Sequence, residues 1–244
     1  MNKVFCRKRT IFSLLLTGCL IFFNLSCGLD TFYVIDAPTN VLHKPDCSSI
    51  DYSENYFDFY TNDKKYENLK FLGTEIYYKI YKSSSRLNSE ADDLITLANK
   101  SDSASSSADR MIQTYKFQPL RAAGHEGESV LIPTVESNQR INIRLSNYTI
   151  YPAQITVDGE NIYGSASRVI PVRNLPSKPN FNFRTAVSDS VPKSDDVDVN
   201  TSGSSTSESI WYVSMFAVAI GQDSSYTPVY STVLYLGSVQ IPVE

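Results

Sequence analysis

Alternation of apolar and polar side chains at period two recurs along this 244-residue chain, and it indicates a mainly β fold built from several short strands. Residues 140–146 place isoleucine or leucine at every second position between polar residues. Residues 71–81 alternate in the same way and predict a half-buried strand with charged and phenolic side chains on its outer face. Residues 56–60 are rich in aromatic side chains and predict a further short strand.

Turn signals divide the second half of the chain into several short strands. Asp158-Gly159 lies between two strand-like runs in residues 154–163, and this dipeptide favours a type I′ hairpin turn. Residues 209–221 are apolar at nearly every position, which predicts a central strand buried on both faces. Residues 227–241 predict a last strand or a pair of strands. Short strands separated by turns indicate a β-sandwich or a barrel.

A change of period and two polar stretches interrupt this pattern. Residues 87–98 predict one short helix, with Ser89 as its N-cap and apolar residues on one helical face. Residues 101–109 are of low complexity and predict a mobile loop, and residues 187–209 are polar and predict a disordered one. We therefore expect long polar insertions near residues 83–116 and 185–209.

The N-terminus has the pattern of an export signal. A basic start precedes an apolar run at residues 11–23, which is shorter than the about 20 residues that a membrane-spanning helix needs. Cys27 directly follows residues 1–26, and this segment resembles the signal peptide of bacterial lipoproteins. That resemblance implies that Cys27 becomes the acylated first residue of the mature chain, and that residues 27–37 form a tether.

Other assignments of the N-terminus remain open. Cys19 follows a segment that matches the lipoprotein pattern better locally, but cleavage there would leave an apolar stretch at the mature N-terminus. An uncleaved anchor, an ordinary signal peptide, or a disulfide between Cys27 and Cys47 are further alternatives. The surrounding sequence favours Cys27 over all of them.

Charge excludes some classes of partner. The formal net charge is −4, and residues 1–26 contain four basic residues and no acidic one, so the remaining chain has a net charge of −8. A body this acidic is a poor match for nucleic acid, since lysine and arginine must neutralise the phosphates. It is also poorly suited to lying flat on an anionic membrane, and a lipid anchor would remove that need.

The sequence predicts no catalytic residues, no metal site and no cofactor. The two histidines, His43 and His125, are far apart and are expected in exposed loops, and Cys47 is expected to be an isolated thiol. Asp196, Asp198 and Asn200 alternate and could offer oxygen ligands to Ca²⁺. They lack the glycine and glutamate of an EF-hand loop, however, so a solvated acidic loop is favoured.

The tyrosines of the 71–81 strand allow two interpretations. Tyr77 and Tyr81 lie on its predicted outer face, where they could form an aromatic recognition surface for a protein partner. Alternatively, they cover the sheet or pack beneath the insertions, and this second interpretation is the favoured one.

Two segments resemble a known domain family. Residues 73–81 are similar to the third strand of fibronectin type III domains, and residues 212–236 are similar to the last two strands. Together with the lipoprotein-like signal, they resemble lipoproteins of spirochaetes such as Treponema. The resemblance implies a mainly β, immunoglobulin- or fibronectin type III-like β-sandwich over residues 38–244, interrupted by the two insertions.

From these features we expect a lipoprotein of the bacterial cell envelope, anchored through palmitate or a related acyl chain, with the outer membrane favoured. Its sandwich is expected to be a non-catalytic binding or structural domain that contacts a host or envelope protein through its loops. The alternative is a periplasm-facing accessory lipoprotein of an envelope complex. We do not expect an enzyme.

Overall fold

A computed structural model describes residues 33–49, 51–100, 106–147, 150–176, 181–183, 191–203 and 210–242. The predicted signal peptide, Cys27 and most of the predicted tether lie outside this range. Residues Tyr33–Glu244 form one compact unit. None of the helices in the described part of the chain combines the length and the apolar character that crossing a bilayer requires.

Strands dominate this unit, as the alternation predicts. In chain order, the strands are β1 (Thr39–His43), β2 (Phe57–Tyr60), β3 (Lys70–Tyr81), β4 (Gln118–Pro119), β5 (Arg121–Ala122), β6 (Ile132–Pro133), β7 (Arg140–Arg144), β8 (Gln154–Val157), β9 (Glu160–Asn161), β10 (Pro171–Val172), β11 (Val199–Asn200), β12 (Ile210–Gln222), β13 (Pro228–Tyr230) and β14 (Leu234–Pro242). The helices are α1 (Ser84–Ala98) and α2 (Ser106–Asp109), followed by a π-helical turn at Arg110–Thr114 and accompanied by short 3₁₀ turns at Tyr52–Glu54 and Ile162–Gly164.

The strands form two main antiparallel sheets. The first has the order β1-β2-β7-β8-β9, and the second is built on the long pair β3 and β12. In the second sheet, β14 and β13 pair with β12, β4 and β6 pair with β3, and β11 adds the only parallel pairing among the described strands. β5 and β10 form a separate antiparallel pair.

The two main sheets pack face to face around an apolar core. Phe57 and Phe59 of β2 enter this core from one sheet, and Ile76 and Tyr78 of β3 enter it from the other. β7, β12 and β14 contribute further alternate side chains. The fold is therefore mainly β, and it is a β-sandwich, as the sequence predicts.

Strand order agrees in part with the immunoglobulin arrangement. There, strands A, B, E and D form one sheet, and C, F and G form the other. Here β1 and β2 occupy positions A and B, and the adjacent strands β3, β12 and β14 have the order C-F-G. On the other sheet, however, the strand beside β2 is β7 and the strand beyond it is the later β8. In the immunoglobulin order, strand E lies beside B and strand D lies beyond E, yet D comes before E in the chain. Here the strand beside β2 comes first, so the two arrangements differ.

A third layer covers the second sheet. α1 packs against its outer face through Leu87, Ala91 and Leu94, and Met111 and Phe117 extend the same apolar cluster. The prediction that one face of β3 is open to water is therefore wrong, since both of its faces are buried from Gly73 onward. The insertion near residues 83–116 supplies the cover.

Two local predictions have clear outcomes. The hairpin between β8 and β9 is confirmed, with φ of 51° at Asp158 and 86° at Gly159, as a type I′ turn requires. The predicted mobile loop at 101–109 is wrong for its second part, because residues 106–109 form α2 and Ala108 is buried. Residues 101–105 lie outside the described part.

Candidate functional site

A polar cavity of about 460 Å³ opens where β3 ends beneath α1. Its lining includes Lys79 from β3, Arg86 and Glu90 from α1, Lys116 after the π-helical turn, and Asn200 from β11. We call this cavity the Glu90 pocket. It combines the end of the sandwich with parts of both insertions.

Glu90 is the hub of the pocket, and both of its carboxylate oxygens are engaged. Oε1 accepts hydrogen bonds from Arg86 Nε at 2.9 Å and from Asn200 Nδ2 at 3.1 Å. Oε2 accepts from Lys79 Nζ at 3.1 Å and from the Tyr81 hydroxyl at 2.7 Å. The Glu90 side chain is only 2% exposed, so these four donors replace the water that its charge would otherwise require.

Lys79 forms the floor of the pocket. Its ammonium group pairs with Glu90 and also donates to the backbone carbonyl of Tyr115. Burial lowers the pKa of Lys79, while the charge of Glu90 opposes that shift. Burial, reinforced by Glu90, raises the pKa of Tyr81, so this hydroxyl acts as a neutral donor.

Local backbone structure sets the positions of these groups. Ser83 caps α1 by accepting a hydrogen bond from the Arg86 amide, and the helix then places Arg86 and Glu90 one turn apart on the same side. At the opposite rim, the π-helical turn ends at Thr114, and Lys116 follows with φ of 60°. A lysine in this left-handed region is uncommon, and such outliers cluster at functional sites.

A second buried network holds the 191–203 segment against the sandwich. Arg173 has no exposed side-chain surface, and its Nη2 donates to Asp196 Oδ2 at 2.7 Å and to Asp198 Oδ1 at 2.6 Å. Its Nε and the Tyr78 hydroxyl both donate to Asp198 Oδ2, at 2.8 and 2.7 Å. This network fixes the segment so that β11 can pair with β3 and present Asn200 to the pocket.

This network overturns the prediction of a solvated acidic loop. Asp196 and Asp198 are buried, because they neutralise the buried guanidinium of Arg173. The predicted disorder of residues 187–209 is likewise wrong for residues 191–203, while residues 184–190 and 204–209 lie outside the described part. Within the described residues, no group of three or more histidine, cysteine, aspartate or glutamate side chains is arranged to hold a metal ion.

The predicted aromatic surface of Tyr77 and Tyr81 is not formed. Tyr77 is 6% exposed and Tyr81 is 0% exposed, because α1 and the segment that follows it pack over them. The alternative interpretation, packing beneath an insertion, is the one that the structure confirms. Tyr81 still reaches the Glu90 pocket, through its hydroxyl.

Other residues singled out in the sequence lie elsewhere. His43 is half-buried in β1, where its ring stacks on Tyr56 at 3.8 Å and one ring nitrogen lies 3.0 Å from Glu54. His125 lies in a turn against Tyr163. The prediction of an exposed loop is therefore wrong for His43, whereas His125 does lie in a loop but is half-buried there. Cys47 is a free buried thiol, as expected, and Cys27 lies outside the described residues.

Sequence reasoning missed the central residues of the pocket. Glu90 does carry a signal, since it lies on the apolar helical face between Leu87 and Leu94, where an acidic residue needs a partner. Lys79 carries a similar signal within an otherwise apolar and aromatic strand. Nothing in the sequence near Glu90 indicates that Asn200, 110 positions later in the chain, donates a hydrogen bond to it.

The sequence matches no protein-family model, and comparisons with curated proteins and with solved structures return no significant match.

Proposed function

We propose that this protein is a lipid-anchored protein of the bacterial cell envelope, whose sandwich is a non-catalytic binding domain with the Glu90 pocket as its ligand site. The observation that carries the binding role is the pocket itself. It has a volume typical of small-molecule sites, and its charged floor is held in place by hydrogen bonds before any ligand arrives.

The fixed floor favours binding over catalysis. A general acid or base must exchange its proton during a reaction. Both oxygens of Glu90 are instead occupied by four hydrogen bonds from the protein, which leaves neither oxygen free to face a substrate. Preorganised groups of this kind reduce the entropic cost of holding a ligand.

The anchor is supported by the sequence around Cys27. The basic start, the short apolar run and the polar residues after Cys27 fit a cleaved and acylated signal. Two or more acyl chains provide stable attachment, whereas one chain binds a membrane only marginally. The acidic body then needs no membrane surface of its own.

Metabolic labelling with palmitate tests the anchor. We expect the wild type and the Cys19→Ala variant to be labelled, and the Cys27→Ala variant to lose the label. Equal labelling of the wild type and Cys27→Ala would contradict the assignment of Cys27. Loss of label in Cys19→Ala alone would move the anchor to Cys19.

Thermal-shift screening tests the binding role. A ligand of the Glu90 pocket raises the melting temperature of the full-length protein in detergent, because it binds the folded state only. The Lys116→Asn variant is expected to lose that shift. Hits whose shifts are unchanged in Lys116→Asn would place the ligand site elsewhere.

Protease treatment of intact cells separates the two envelope locations. Loss of the protein without lysis indicates the cell surface and a host-facing partner. Protection until the outer membrane is permeabilised indicates the alternative, a periplasm-facing accessory lipoprotein.

A further inference from the structure

The Glu90 pocket carries more positive charge than its own carboxylate balances. Among the lining residues that the structure describes, Lys79, Arg86 and Lys116 are cationic and Glu90 alone is acidic, so these residues have two positive charges in excess. Glu90 can accept no further hydrogen bond, since each of its two oxygens already accepts two. This local excess is notable in a chain whose net charge is negative.

The excess charge lies at the rim, where a ligand can reach it. The Arg86 side chain is 45% exposed and uses its Nε for Glu90, and its two terminal nitrogens have no hydrogen-bond partner among the residues that the structure describes. Lys116 is exposed, and it has no ion-pair partner among the residues that the structure describes. An arginine and a lysine placed together match a carboxylate or phosphate group.

Hydroxyl groups form another part of the lining. Thr114, Thr201 and Ser202 are exposed at the rim, and their side chains have no hydrogen-bond partner in the described part of the chain. Each hydroxyl can both donate and accept, so the three together suit a ligand that carries several hydroxyls of its own.

The apolar part of the lining is small. Val197 is 57% exposed, and Val199 is half-buried beside it. Two valines offer a surface for the C–H face of a sugar ring, but they are too few for an acyl chain, which needs continuous apolar walls.

We propose that the Glu90 pocket binds an acidic saccharide, that is, a sugar ring bearing a carboxylate or a phosphate. The anionic group pairs with Arg86 and Lys116, and the ring hydroxyls bond to Thr114, Thr201 and Ser202. The ring lies against Val197. Glu90 holds the arginine in place, Lys79 pairs with Glu90 beneath it, and neither contacts the charged group of the ligand. This inference rests on the binding role proposed above.

Calorimetric titration of the full-length protein in detergent tests it, with glucuronate, glucose 6-phosphate, glucose and inorganic phosphate as probes. We expect glucuronate, glucose 6-phosphate or both to bind, and to bind more weakly as salt is raised. Glucose and inorganic phosphate are expected to bind at least about tenfold more weakly, since each lacks one of the two recognised groups.

Three variants connect binding to the pocket. Lys116→Asn removes the charge but keeps a residue that tolerates positive φ, and it is expected to weaken binding about tenfold. Lys116→Arg keeps the positive charge and is expected to retain affinity. Lys193→Ala removes an exposed lysine from the 191–203 segment outside the pocket and is the matched control.

Each contrary outcome has a definite meaning. Glucose binding as tightly as the acidic sugars, or inorganic phosphate binding alone, would overturn the ligand class, and the binding role would stand if Lys116→Asn abolished that signal. No heat with any probe would overturn the acidic-saccharide inference, while the palmitate label and the thermal-shift screen would still decide the proposed function.

Discussion

Glu90 shows how a single buried carboxylate organises a site. It joins a strand, a helix and a distant segment through Lys79, Arg86 and Asn200, and the Tyr81 hydroxyl completes its hydrogen bonds. A buried pair of this kind contributes little net stability relative to apolar packing, but breaking it is costly because one charge remains uncompensated. The ion pair therefore acts mainly by holding the cationic side chains of the rim in position.

Replacing Glu90 tests that cost. We expect Glu90→Gln to reduce the free energy of unfolding by about 3 kcal/mol, because Lys79 keeps a buried charge without a counter-ion. Glu67→Gln, at an exposed position, is the control and should change it by less than about 0.5 kcal/mol. Urea denaturation followed by fluorescence measures both. A Glu90→Gln variant as stable as the control would contradict the role of this ion pair.

Glu75 predicts a pH dependence of stability. Burial raises its pKa from 4.5 to about 7, although Arg121 Nη1 lies 3.1 Å from its carboxylate and opposes the shift. The folded state therefore binds a proton more tightly than the unfolded state. The stability that this proton contributes is present below pH 4.5, and it is lost as the pH rises towards 7.

A Glu75→Gln variant removes this titration. Relative to the wild type, its free energy of unfolding should rise by about 3 kcal/mol between pH 4.5 and pH 7.5, because only the wild type then buries a charge. Denaturation at several pH values measures the difference. The exposed Glu160→Gln variant should follow the wild type. Parallel curves for the wild type and Glu75→Gln would show that folding does not shift the pKa of Glu75.

At the scale of elements, the first residue of α1 differs between the sequence prediction and the structure. The sequence predicts Ser89 as the N-cap, but the helix begins six residues earlier and Ser83 is the cap. A single pattern of serine followed by an acidic residue occurs by chance in a serine-rich stretch, so it cannot locate a helix boundary alone.

Paired alanine variants distinguish the two serines. Ser83→Ala should reduce the free energy of unfolding by about 1 kcal/mol, since it removes the acceptor of the Arg86 amide. Ser89→Ala should leave it unchanged or raise it by a few tenths of a kcal/mol, since alanine favours a helix interior. The opposite order of effects would place the cap at Ser89.

The 191–203 segment offers a second matched pair. Asp198→Asn weakens the pairing with Arg173, so the segment should open more often. Its backbone amides should then exchange hydrogen faster, and so should the Ile80 amide of β3, which donates to the Asp198 carbonyl. Asp195→Asn makes the same change at an exposed position and should have no effect. Hydrogen exchange read by mass spectrometry measures both. Equal exchange in the two variants would show that β pairing alone holds the segment.

At the scale of the whole molecule, hydrophobic patterning predicts the sandwich well, because β7 buries its alternate isoleucines and the apolar run of β12 is buried on both faces. It fails for the third layer. The polar and aromatic outer face of β3 is compatible with water and with a helix cover, and only contacts between distant segments decide between them. The Glu90 pocket depends on such contacts. The local sequence pattern could therefore indicate individual residues of the pocket, but it could not predict that they lie close together in the fold.

The two larger apolar cores share the sheet of β3 and β12, which predicts one cooperative unfolding transition. Trp211, the single tryptophan, lies in the core between the sheets, and Cys47 lies in the core beneath the helices. The backbone around Cys47 is tied to β14, since the Ser238 amide donates to the Pro45 carbonyl at 3.0 Å and the Cys47 amide donates to Ser238 Oγ at 3.2 Å. Burial also raises the pKa of the Cys47 thiol, which further suppresses its reaction.

Alkylation of Cys47, located by peptide mass spectrometry, should therefore be slow in native buffer and should increase with urea at the same midpoint as the Trp211 fluorescence change. Coincident midpoints would mean that both cores are lost together, because the shared sheet of β3 and β12 belongs to each. Alkylation that reaches completion well below the Trp211 midpoint would instead show that the segment around Cys47 opens by itself. In that case, the layer beneath α1 would be a separate and weaker unit, and the Glu90 pocket would unfold with it before the sandwich does.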